Sequence, residues 1–463
     1  MNIYFVSLGC DKNLVDSEMM ITGLRKAGHC IIDNEQEADI IVVNTCCFIG
    51  DAKEESINTL INMGEFKTYG KCKLLVACGC LAQRYHKEIR EQIPEVDVII
   101  GTMSYEALNE AIDECLLHEG ETKECLESID YLPKPLHDRD SMSGGYFAYL
   151  KIAEGCDKCC TYCIIPYVRG GIRSRSVQDV RDEAARLAQA GYREIVLTGI
   201  HLTSYGRDLK NGDTLLSVIR AVHDIAGVER IRLGSLEPVI ATADFARALG
   251  EMPKLCPQFH LALQSGCDSV LRRMRRRYDT AAFRESAQAL RAVFPDCALT
   301  TDVMSGFPGE AEHRQSLDFC REMRFARMHV FPYSEREGTA AATMPDPVPR
   351  HIREERAREL IALGAGMAED YRRAQLGTVR RVLFEQCAEG VSVGYTPEYM
   401  RCEAPGTVCG QTLPVRMTGL LPEGFSGEKQ SGGEHYGRLH FLQDRARGDS
   451  QRQGIRGRAR AGL

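Results

Sequence analysis

The stretch Cys156-Asp157-Lys158-Cys159-Cys160-Thr161-Tyr162-Cys163 contains three cysteines at the spacing Cys-x3-Cys-x2-Cys, namely Cys156, Cys160 and Cys163. Three thiolates on one short loop can bind three irons of a 4Fe-4S cluster and leave the fourth iron without a protein ligand. An open iron can bind a small molecule and pass an electron to it, whereas structural zinc sites and ferredoxin clusters have four protein ligands. The spacing therefore favours a catalytic iron–sulfur cluster, with a zinc loop or a group of reactive thiols as alternatives. Cys159 lies outside the pattern and is assigned no role.

The composition of the chain is typical of a globular protein. Its 463 residues predict two or three domains, and its hydrophobic content of 44% includes no run long enough to cross a membrane. Residues 1–5 lack the features of an export signal, so we expect a cytoplasmic protein that does not bind membranes. Because cytosolic thiols stay reduced, the 20 cysteines indicate metal or cluster binding rather than disulfides. The net charge of −7 predicts that any RNA contact comes from local patches.

Residues 1–120 alternate short apolar runs with stretches of helical periodicity. The apolar runs are rich in branched residues, as buried parallel strands are, and they span residues 3–8, 40–43, 74–77 and 98–100. Helical periodicity lies between them, for example over residues 14–26. This alternation predicts a doubly wound α/β domain.

Cys10, Cys46 and Cys80 each follow one of these predicted strands. Because the carboxyl ends of neighbouring parallel strands meet at one edge of a sheet, cysteines far apart in sequence can come together there. The alternative is that they are ordinary small buried residues, as cysteines often are. The repeated position after a strand favours a second three-cysteine site.

With both cysteine sets, the sequence resembles the radical S-adenosylmethionine (SAM) methylthiotransferases from Met1 to about Gly427. In that family SAM binds the open iron of one 4Fe-4S cluster and is split reductively into a 5′-deoxyadenosyl radical, while a second 4Fe-4S cluster holds the sulfur. The resemblance implies that Cys10, Cys46 and Cys80 bind the second cluster. Cys46 and Cys80 are chosen over the nearby Cys47 and Cys78 because they occupy the family motifs Asn-Thr-Cys and Gly-Cys-Leu-Ala-Gln.

Residues 146–374 alternate strand-like and helical stretches about six times, which predicts a partial (β/α) barrel followed by a helix. Chemistry in such barrels takes place at the carboxyl ends of the strands. The resemblance implies that Tyr162 contacts the adenine of SAM and that Gly199, Gln264 and Asp302 line its pocket. Each of these residues could instead serve only a turn or a cap.

Three further segments carry weaker signals. Residues 121–145 are polar and contain proline and glycine, which predicts a linker. The arginine-rich run 271–278 is typical of a solvated helix face, although arginines can also bind phosphate. Residues 431–463 are glycine-rich and basic, which predicts a disordered tail.

Residues 375–430 contain short strand-like runs separated by glycine and proline, which predicts a small antiparallel β-barrel. The segment resembles the TRAM domain of the family. Tyr395 and Tyr399 offer two rings for stacking on single-stranded RNA. The alternative is a stabilising cap in which both tyrosines are core residues.

The resemblance divides over the substrate. The first domain is similar to the branch that modifies an aspartate of a small-subunit ribosomal protein, while the barrel and TRAM domain are similar to the branch that modifies threonylcarbamoyladenosine in tRNA. Since the barrel and TRAM domain contact the substrate, we expect the anticodon loop of tRNA to be the partner. The ribosomal aspartate, a non-catalytic two-cluster electron carrier and a zinc-bearing RNA-binding module are the alternatives. The sequence identifies neither the electron donor nor the sulfur source.

Overall fold

The computed structural model describes residues 1–117, 122–133, 139 and 141–430. The predicted tail, residues 431–463, and parts of the predicted linker lie outside these residues. The predicted fold class is confirmed, since a parallel α/β domain is followed by a partial barrel and a small closed β-barrel. The elements of the first domain are β1 (Asn2–Ser7), α1 (Asp11–Lys26), β2 (Cys30–Ile32), β3 (Ile40–Thr45), α2 (Gly50–Gly64), α3 (Phe66–Tyr69), β4 (Leu74–Cys78), α4 (Gly79–Arg84), α5 (His86–Gln92), β5 (Val96–Ile100), α6 (Leu108–Leu117) and β6 (Lys123–Cys125).

The first domain is built on a six-stranded parallel sheet with the strand order β2-β1-β3-β4-β5-β6. Successive residues of β4 point to opposite faces, so Leu75 and Ala77 join one apolar cluster while Leu74 and Val76 join another. Both faces of the sheet are therefore packed, which is why the central strands are apolar throughout. The short strands β2 and β6 are absent from the predicted strands, because three residues carry little periodicity. β6 extends the sheet into the predicted linker.

The central domain is a partial barrel made of two sheets, β10-β9-β7-β8 and β11-β12-β13, which a bridge between Leu236 and Leu261 connects. Its elements are β7 (Phe147–Glu154), α7 (Ile165–Arg169), β8 (Arg173–Ser174), α8 (Val177–Gln189), β9 (Glu194–Gly199), α9 (Leu215–His223), β10 (Arg230–Leu233), α10 (Ala243–Gly250), β11 (Gln258–His260), α11 (Asp268–Arg273), α12 (Thr280–Val293), β12 (Ala298–Ser305), α13 (His313–Met323), β13 (Arg327–Pro332) and the following α14 (Arg350–Arg373). None of the helices in the described residues combines the length and the apolar character that crossing a membrane requires.

Helix α1 joins the first domain to the barrel through buried polar side chains. Asp16 forms ion pairs with Lys151 of β7 and with Arg169 of α7, and all three side chains are less than 10% exposed. Glu18 pairs with Arg139, whose side chain is also fully buried. Buried charges are stable only when they are paired, so these contacts fix how the two domains are oriented.

The C-terminal domain is a closed five-stranded barrel with the order β14-β15-β16-β18-β17. Its strands are β14 (Val379–Ala388), β15 (Val391–Tyr395), β16 (Arg401–Pro405), β17 (Thr412–Leu421) and β18 (Gly424–Lys429). Phe384, Met400, Val415 and Phe425 form its core, and each is fully buried. The pairing is antiparallel except between β16 and β18, which run parallel.

Tyr395 and Tyr399 do not face solvent as the predicted RNA contact requires. They are 5% and 7% exposed, and their rings stack on each other with centroids 5.2 Å apart. The guanidinium of Arg232, on β10 of the neighbouring domain, lies 4.6 Å from the Tyr399 ring centroid and donates to the Pro397 carbonyl at 2.9 Å. The two tyrosines therefore bind the C-terminal barrel to the central domain, because their rings are covered by protein.

Replacing Arg232 with methionine is expected to destabilise this junction by about 3 kcal/mol, because the buried Glu194 loses its 2.7 Å ion pair with Arg232. Arg230 stays 3.5 Å from the same carboxylate, which limits the loss. Urea unfolding followed by circular dichroism measures the change. Arg247→Met is the matched control, since Arg247 is 69% exposed and its loss is expected to cost less than about 0.5 kcal/mol. Equal midpoints for the two variants would contradict the structural role of Arg232.

Candidate active site

The first predicted triad, Cys10, Cys46 and Cys80, lies at the carboxyl ends of β1, β3 and β4, which are neighbours in the sheet. Each thiol is close enough to the other two to interact with them electrostatically. Burial and the two neighbouring thiols raise the pKa of Cys46 to about 12. The structure thus brings together three soft ligands, and thiols lose their protons when they bind a metal.

Two glycines allow the strand ends to approach this closely. Gly9 has a φ of +88°, and a Cβ there would lie 2.9 Å from the Cys46 sulfur. Gly79 has a φ of +89°, and a Cβ there would lie 2.2 Å from the side-chain oxygen of Asn44. Since only glycine adopts this backbone without strain and leaves this space, both turns depend on it.

The neighbouring cysteines differ in their placement. Cys78 belongs to the apolar cluster on one face of the sheet, where its sulfur lies 3.4 Å from the Val43 carbonyl oxygen. Cys47 is buried in the cluster on the other face, yet it is close enough to Cys46 and Cys80 to interact with both. An experiment must therefore determine whether Cys46 or Cys47 is the third ligand.

A buried arginine lies beside the first triad. Arg169 is 1% exposed and donates to the side-chain oxygens of Asn13 at 2.7 Å and Asp16 at 2.8 Å. It also interacts electrostatically with Cys80 and Cys10. A positive charge held at this position stabilises thiolates and any anionic group bound to them.

The second triad, Cys156, Cys160 and Cys163, lies on the loop between β7 and α7. Cys156 interacts electrostatically with the other two thiols, and burial raises its pKa to about 12. The backbone N–H of Ile165 lies 3.4 Å from the Cys163 sulfur, to which it donates. Cys159, the surplus cysteine of this loop, is exposed. The geometry therefore separates the three predicted ligands from the fourth cysteine.

Charged and polar side chains surround this loop. Ser204 donates to Asp157 at 2.6 Å, and His201 lies 2.8 Å from Ser204 and 3.4 Å from Glu237. Burial opposes ionisation of Asp157, but hydrogen bonds from Ser204 and Lys158 hold its pKa well below the usual range. Such paired groups of both signs can bind the charged ends of a small zwitterion.

The predicted SAM-binding residues fall into three places. Gln264 and Asp302 meet where β12 continues past β11, and the Gln264 N–H donates to the Asp302 carbonyl at 2.9 Å. Tyr162 is 7% exposed and packs edge-on against Phe307 with a centroid distance of 6.3 Å. Gly199 ends β9 in the other sheet. Asp302 lies within β12, whereas Gln264 follows β11. Of the four residues, Gln264 and Asp302 are the pair joined by a hydrogen bond.

Arg336 connects the two cysteine sites. It donates to the Tyr162 carbonyl at 2.8 Å, and its guanidinium lies 5.1 Å from the Phe48 ring centroid. It interacts electrostatically with Cys163 on one loop and with Cys47 on the other. Arg336 therefore links the segment that follows Cys46 to the loop of the second triad.

Lys12 makes a second connection across the domains. It interacts electrostatically with Cys10 beside it and with Asp302 of the barrel. In addition, the backbone N–H of Gly50 donates to the Ser334 hydroxyl at 3.1 Å. These contacts connect the surroundings of the two triads across the domain boundary. The donor set of each triad fits a 4Fe-4S cluster that lacks one protein ligand.

Comparisons with known proteins agree with this arrangement. Residues 2–101 match a family described as uncharacterized protein family UPF0004, and residues 150–320 match the radical SAM superfamily. The chain is 42% identical over 400 residues to the ribosomal protein uS12 methylthiotransferase RimO of Lachnoclostridium phytofermentans, an alignment that covers 86% of this chain and 90% of that protein. The chain belongs to the radical SAM methylthiotransferases. The protein of the same name from Geobacter sulfurreducens is 40% identical over 395 residues, which cover 84% of this methylthiotransferase and 87% of the relative.

Membership of this family confirms the predicted cofactors. Radical SAM methylthiotransferases carry two 4Fe-4S clusters and use SAM, as was expected from the two triads. The chain is accordingly a radical SAM enzyme, and the interpretation as a non-catalytic electron carrier is wrong.

The prediction of tRNA as substrate and partner is also wrong, because these relatives are named as uS12 methylthiotransferases. The physical reason is visible in the C-terminal barrel. Tyr395 and Tyr399, which supported RNA binding, are covered by each other and by Arg232. Features taken as signs of the substrate serve the contact between domains in this methylthiotransferase.

Solved structures resemble this methylthiotransferase in fold. The radical SAM methyltransferase TsrM of Kitasatospora setae is 14% identical to the chain, with a TM-score of 0.54 over 74% of each chain. The cobalamin-dependent SAM radical enzyme OxsB is 13% identical, with a TM-score of 0.50 over 80% of this chain and 56% of OxsB. At these identities the likeness concerns the fold alone.

Several residues of the site were absent from the predicted set. Four basic residues each contact or face a cysteine of a triad, namely Lys12, Arg169, Arg276 and Arg336. Lys12 and Arg169 lie close to predicted cysteines along the chain, and this proximity is the sequence signal by which they could have been found. Arg276 and Arg336 have no such signal, because only the closed fold brings them to the cysteine loop.

Proposed function

We propose that this methylthiotransferase transfers a methylthio group to ribosomal protein uS12. The observation that carries the proposal is the similarity to uS12 methylthiotransferases, which reaches 42% identity and extends over all three domains. The first domain agrees with it, because its sequence resembles the branch that modifies a ribosomal aspartate. That resemblance implies an aspartate as the residue modified.

The proposed ligands are Cys10, Cys46 and Cys80 for one cluster and Cys156, Cys160 and Cys163 for the other. Cys156, Cys160 and Cys163 would hold the cluster that binds SAM, and the chemistry supplied there would be one electron for a radical able to abstract hydrogen from an inert C–H bond. The chain's own task is to hold both sites in one region and to admit the substrate between them. Arg336 and Lys12 support this role, since each interacts with groups of both domains.

For SAM itself we propose Tyr162, Gly199, Gln264 and Asp302 as binding residues. Burial opposes ionisation of Asp302, but His260 and His329 lower its pKa, so this carboxylate is charged at neutral pH. The Nε2 atom of His260 lies 3.3 Å from the carboxylate and holds its orientation. A charged, oriented acceptor in this position suits a ribose hydroxyl or an ammonium group.

The experiment uses cells that lack the gene. Ribosomal protein uS12 from these cells is expected to lack its methylthio group, and the intact mass of the protein measures this loss. Reintroducing the parent gene restores the group because the chain is the transferase. A Cys156→Ala gene does not restore it, while Cys159→Ala does, since Cys159 is exposed and outside the triad.

Transfer RNA from the same cells tests the alternative substrate. Its nucleosides are digested and compared with those of parent cells. A missing methylthio nucleoside together with an unchanged uS12 would overturn the proposal.

A further inference from the structure

We propose that Arg276 is a positioning residue that raises the reduction potential of the cluster bound by Cys156, Cys160 and Cys163. The proposal rests on the ligand assignment given under the proposed function. It does not depend on which substrate the enzyme modifies, because the electron reaches this cluster before any substrate reacts.

Arg276 is the member of the arginine-rich run 271–278 that turns inward. Its Nη1 atom donates to the Cys160 sulfur at 3.2 Å, and its side chain is 8% exposed. Arg272, Arg275 and Arg277 of the same run are exposed. The prediction of a solvated helix face thus holds for these three residues and is wrong for Arg276, whose guanidinium contacts the cysteine loop.

The guanidinium is held in this orientation by two further contacts. Its Nη2 atom lies 3.2 Å from a carboxylate oxygen of Glu237, and its Nε donates to the Tyr278 hydroxyl at 2.8 Å. Tyr278 in turn donates to the carbonyl of Ala262. Since all three nitrogen positions of the fork are engaged, Arg276 cannot rotate away from Cys160 without breaking buried contacts.

Two hydrogen bonds connect the arginine-rich run 271–278 to the cysteine loop. The backbone N–H of Thr161 donates to the Met274 carbonyl at 3.2 Å, and the Thr161 hydroxyl donates to the Arg273 carbonyl at 3.0 Å. Thr161 follows Cys160 directly. The distance between Arg276 and the sulfur is therefore set by the fold rather than by the side chain alone.

A hydrogen bond from a charged donor to a ligand sulfur favours the form of the cluster that carries more negative charge. Reduction adds one electron, so the reduced form gains more from Arg276 than the oxidised form does. Low exposure strengthens the effect because little water screens the charge. A purely structural ion pair between Arg276 and Glu237 would leave the potential unchanged, which makes the potential the deciding measurement.

The experiment isolates one cluster by using the full chain with Cys10, Cys46 and Cys80 all replaced by alanine. Arg276→Gln and Arg276→Lys are made in this background, and the exposed Arg277→Gln is the matched control. The midpoint potential is measured anaerobically, without SAM or substrate, from the electron paramagnetic resonance signal of the reduced cluster. We expect a more negative potential for Arg276→Gln, a smaller shift in the same direction for Arg276→Lys, and the background potential for Arg277→Gln.

Potentials of the Arg276 variants equal to that of Arg277→Gln would overturn the proposal. If Arg276→Gln retains no iron, the potential of Arg276→Lys is used instead, because lysine keeps the charge but lacks the second N–H of the fork. A potential of Arg276→Lys equal to that of the background then overturns the proposal. A background that binds no cluster would overturn the ligand assignment and this proposal together. Failure of uS12 modification, by contrast, would leave the expected shift in potential unchanged.

Discussion

Cys156→Ala is expected to abolish the reductive release of 5′-deoxyadenosine from SAM, whereas Cys159→Ala leaves it near the parent level. Cys156 belongs to the buried thiol triad, while Cys159 is exposed on the same loop and lies outside the spacing. Two thiolates cannot hold the cluster that three hold, so the iron content should fall from about eight to about four atoms per chain. Anaerobic incubation with dithionite and SAM, followed by chromatography of the nucleosides, measures the release.

The pair of variants tests position rather than cysteine number, because each removes one thiol from the same eight-residue loop. Iron analysis on the same samples reports whether the cluster is lost. Full nucleoside release by Cys156→Ala, or loss of release by Cys159→Ala, would show that the loop binds its cluster in another way. The result does not depend on the substrate, since SAM cleavage is measured without it.

The grouping of the cysteines into two triads could be predicted from the sequence, for a different reason in each triad. Cys10, Cys46 and Cys80 come after apolar runs that the structure shows to be adjacent parallel strands. Adjacent parallel strands bring their carboxyl ends to one edge, so strand position indicates that cysteines after these strands lie together. The family motifs then select Cys46 and Cys80 over Cys47 and Cys78. Cys156, Cys160 and Cys163 needed no folding argument, since one loop holds them all.

The surroundings of the cysteines could not be predicted in the same way. Arg276 and Arg336 reach the cysteine loop from segments more than a hundred residues away along the chain. In the sequence these two arginines resemble those of any solvent-exposed helix or turn. Only the folded structure shows where each guanidinium lies. Helix α1 shows the same limit, because Asp16 and Glu18 are buried against the barrel although charged residues usually face water.

The prediction of tRNA as the substrate is wrong for a related reason. The sequences of the barrel and the C-terminal domain are similar to the tRNA branch, and Tyr395 and Tyr399 suggest stacking on RNA. In the structure Arg232 is fully buried between Glu194, Tyr399 and the Pro397 carbonyl, where it fastens one domain to the next. A sequence pattern that a domain junction requires can persist whatever the substrate is, so it carries little information about the substrate.

Cys46→Ala is expected to separate the two chemical steps, because the triads belong to different domains. The variant should keep the cluster on the Cys156 loop, and with it the release of 5′-deoxyadenosine, while the proposed methylthio transfer to uS12 is lost. Iron should again fall by about four atoms per chain. Incubation with purified unmodified uS12, followed by measurement of its intact mass and of the nucleoside, gives both readouts from one sample.

Cys47→Ala is the matched control for this separation, because Cys47 is adjacent in sequence, 4% exposed, and close to Cys46 and Cys80. Its replacement removes one buried sulfur, which costs about 1 kcal/mol of stability, and should leave both readouts near the parent level. The reverse result, transfer lost with Cys47→Ala and kept with Cys46→Ala, would move the ligand to Cys47. Loss of nucleoside release in Cys46→Ala would instead mean that the two sites depend on each other for assembly, because the Cys156 loop and the Cys46 segment are in contact through Arg336.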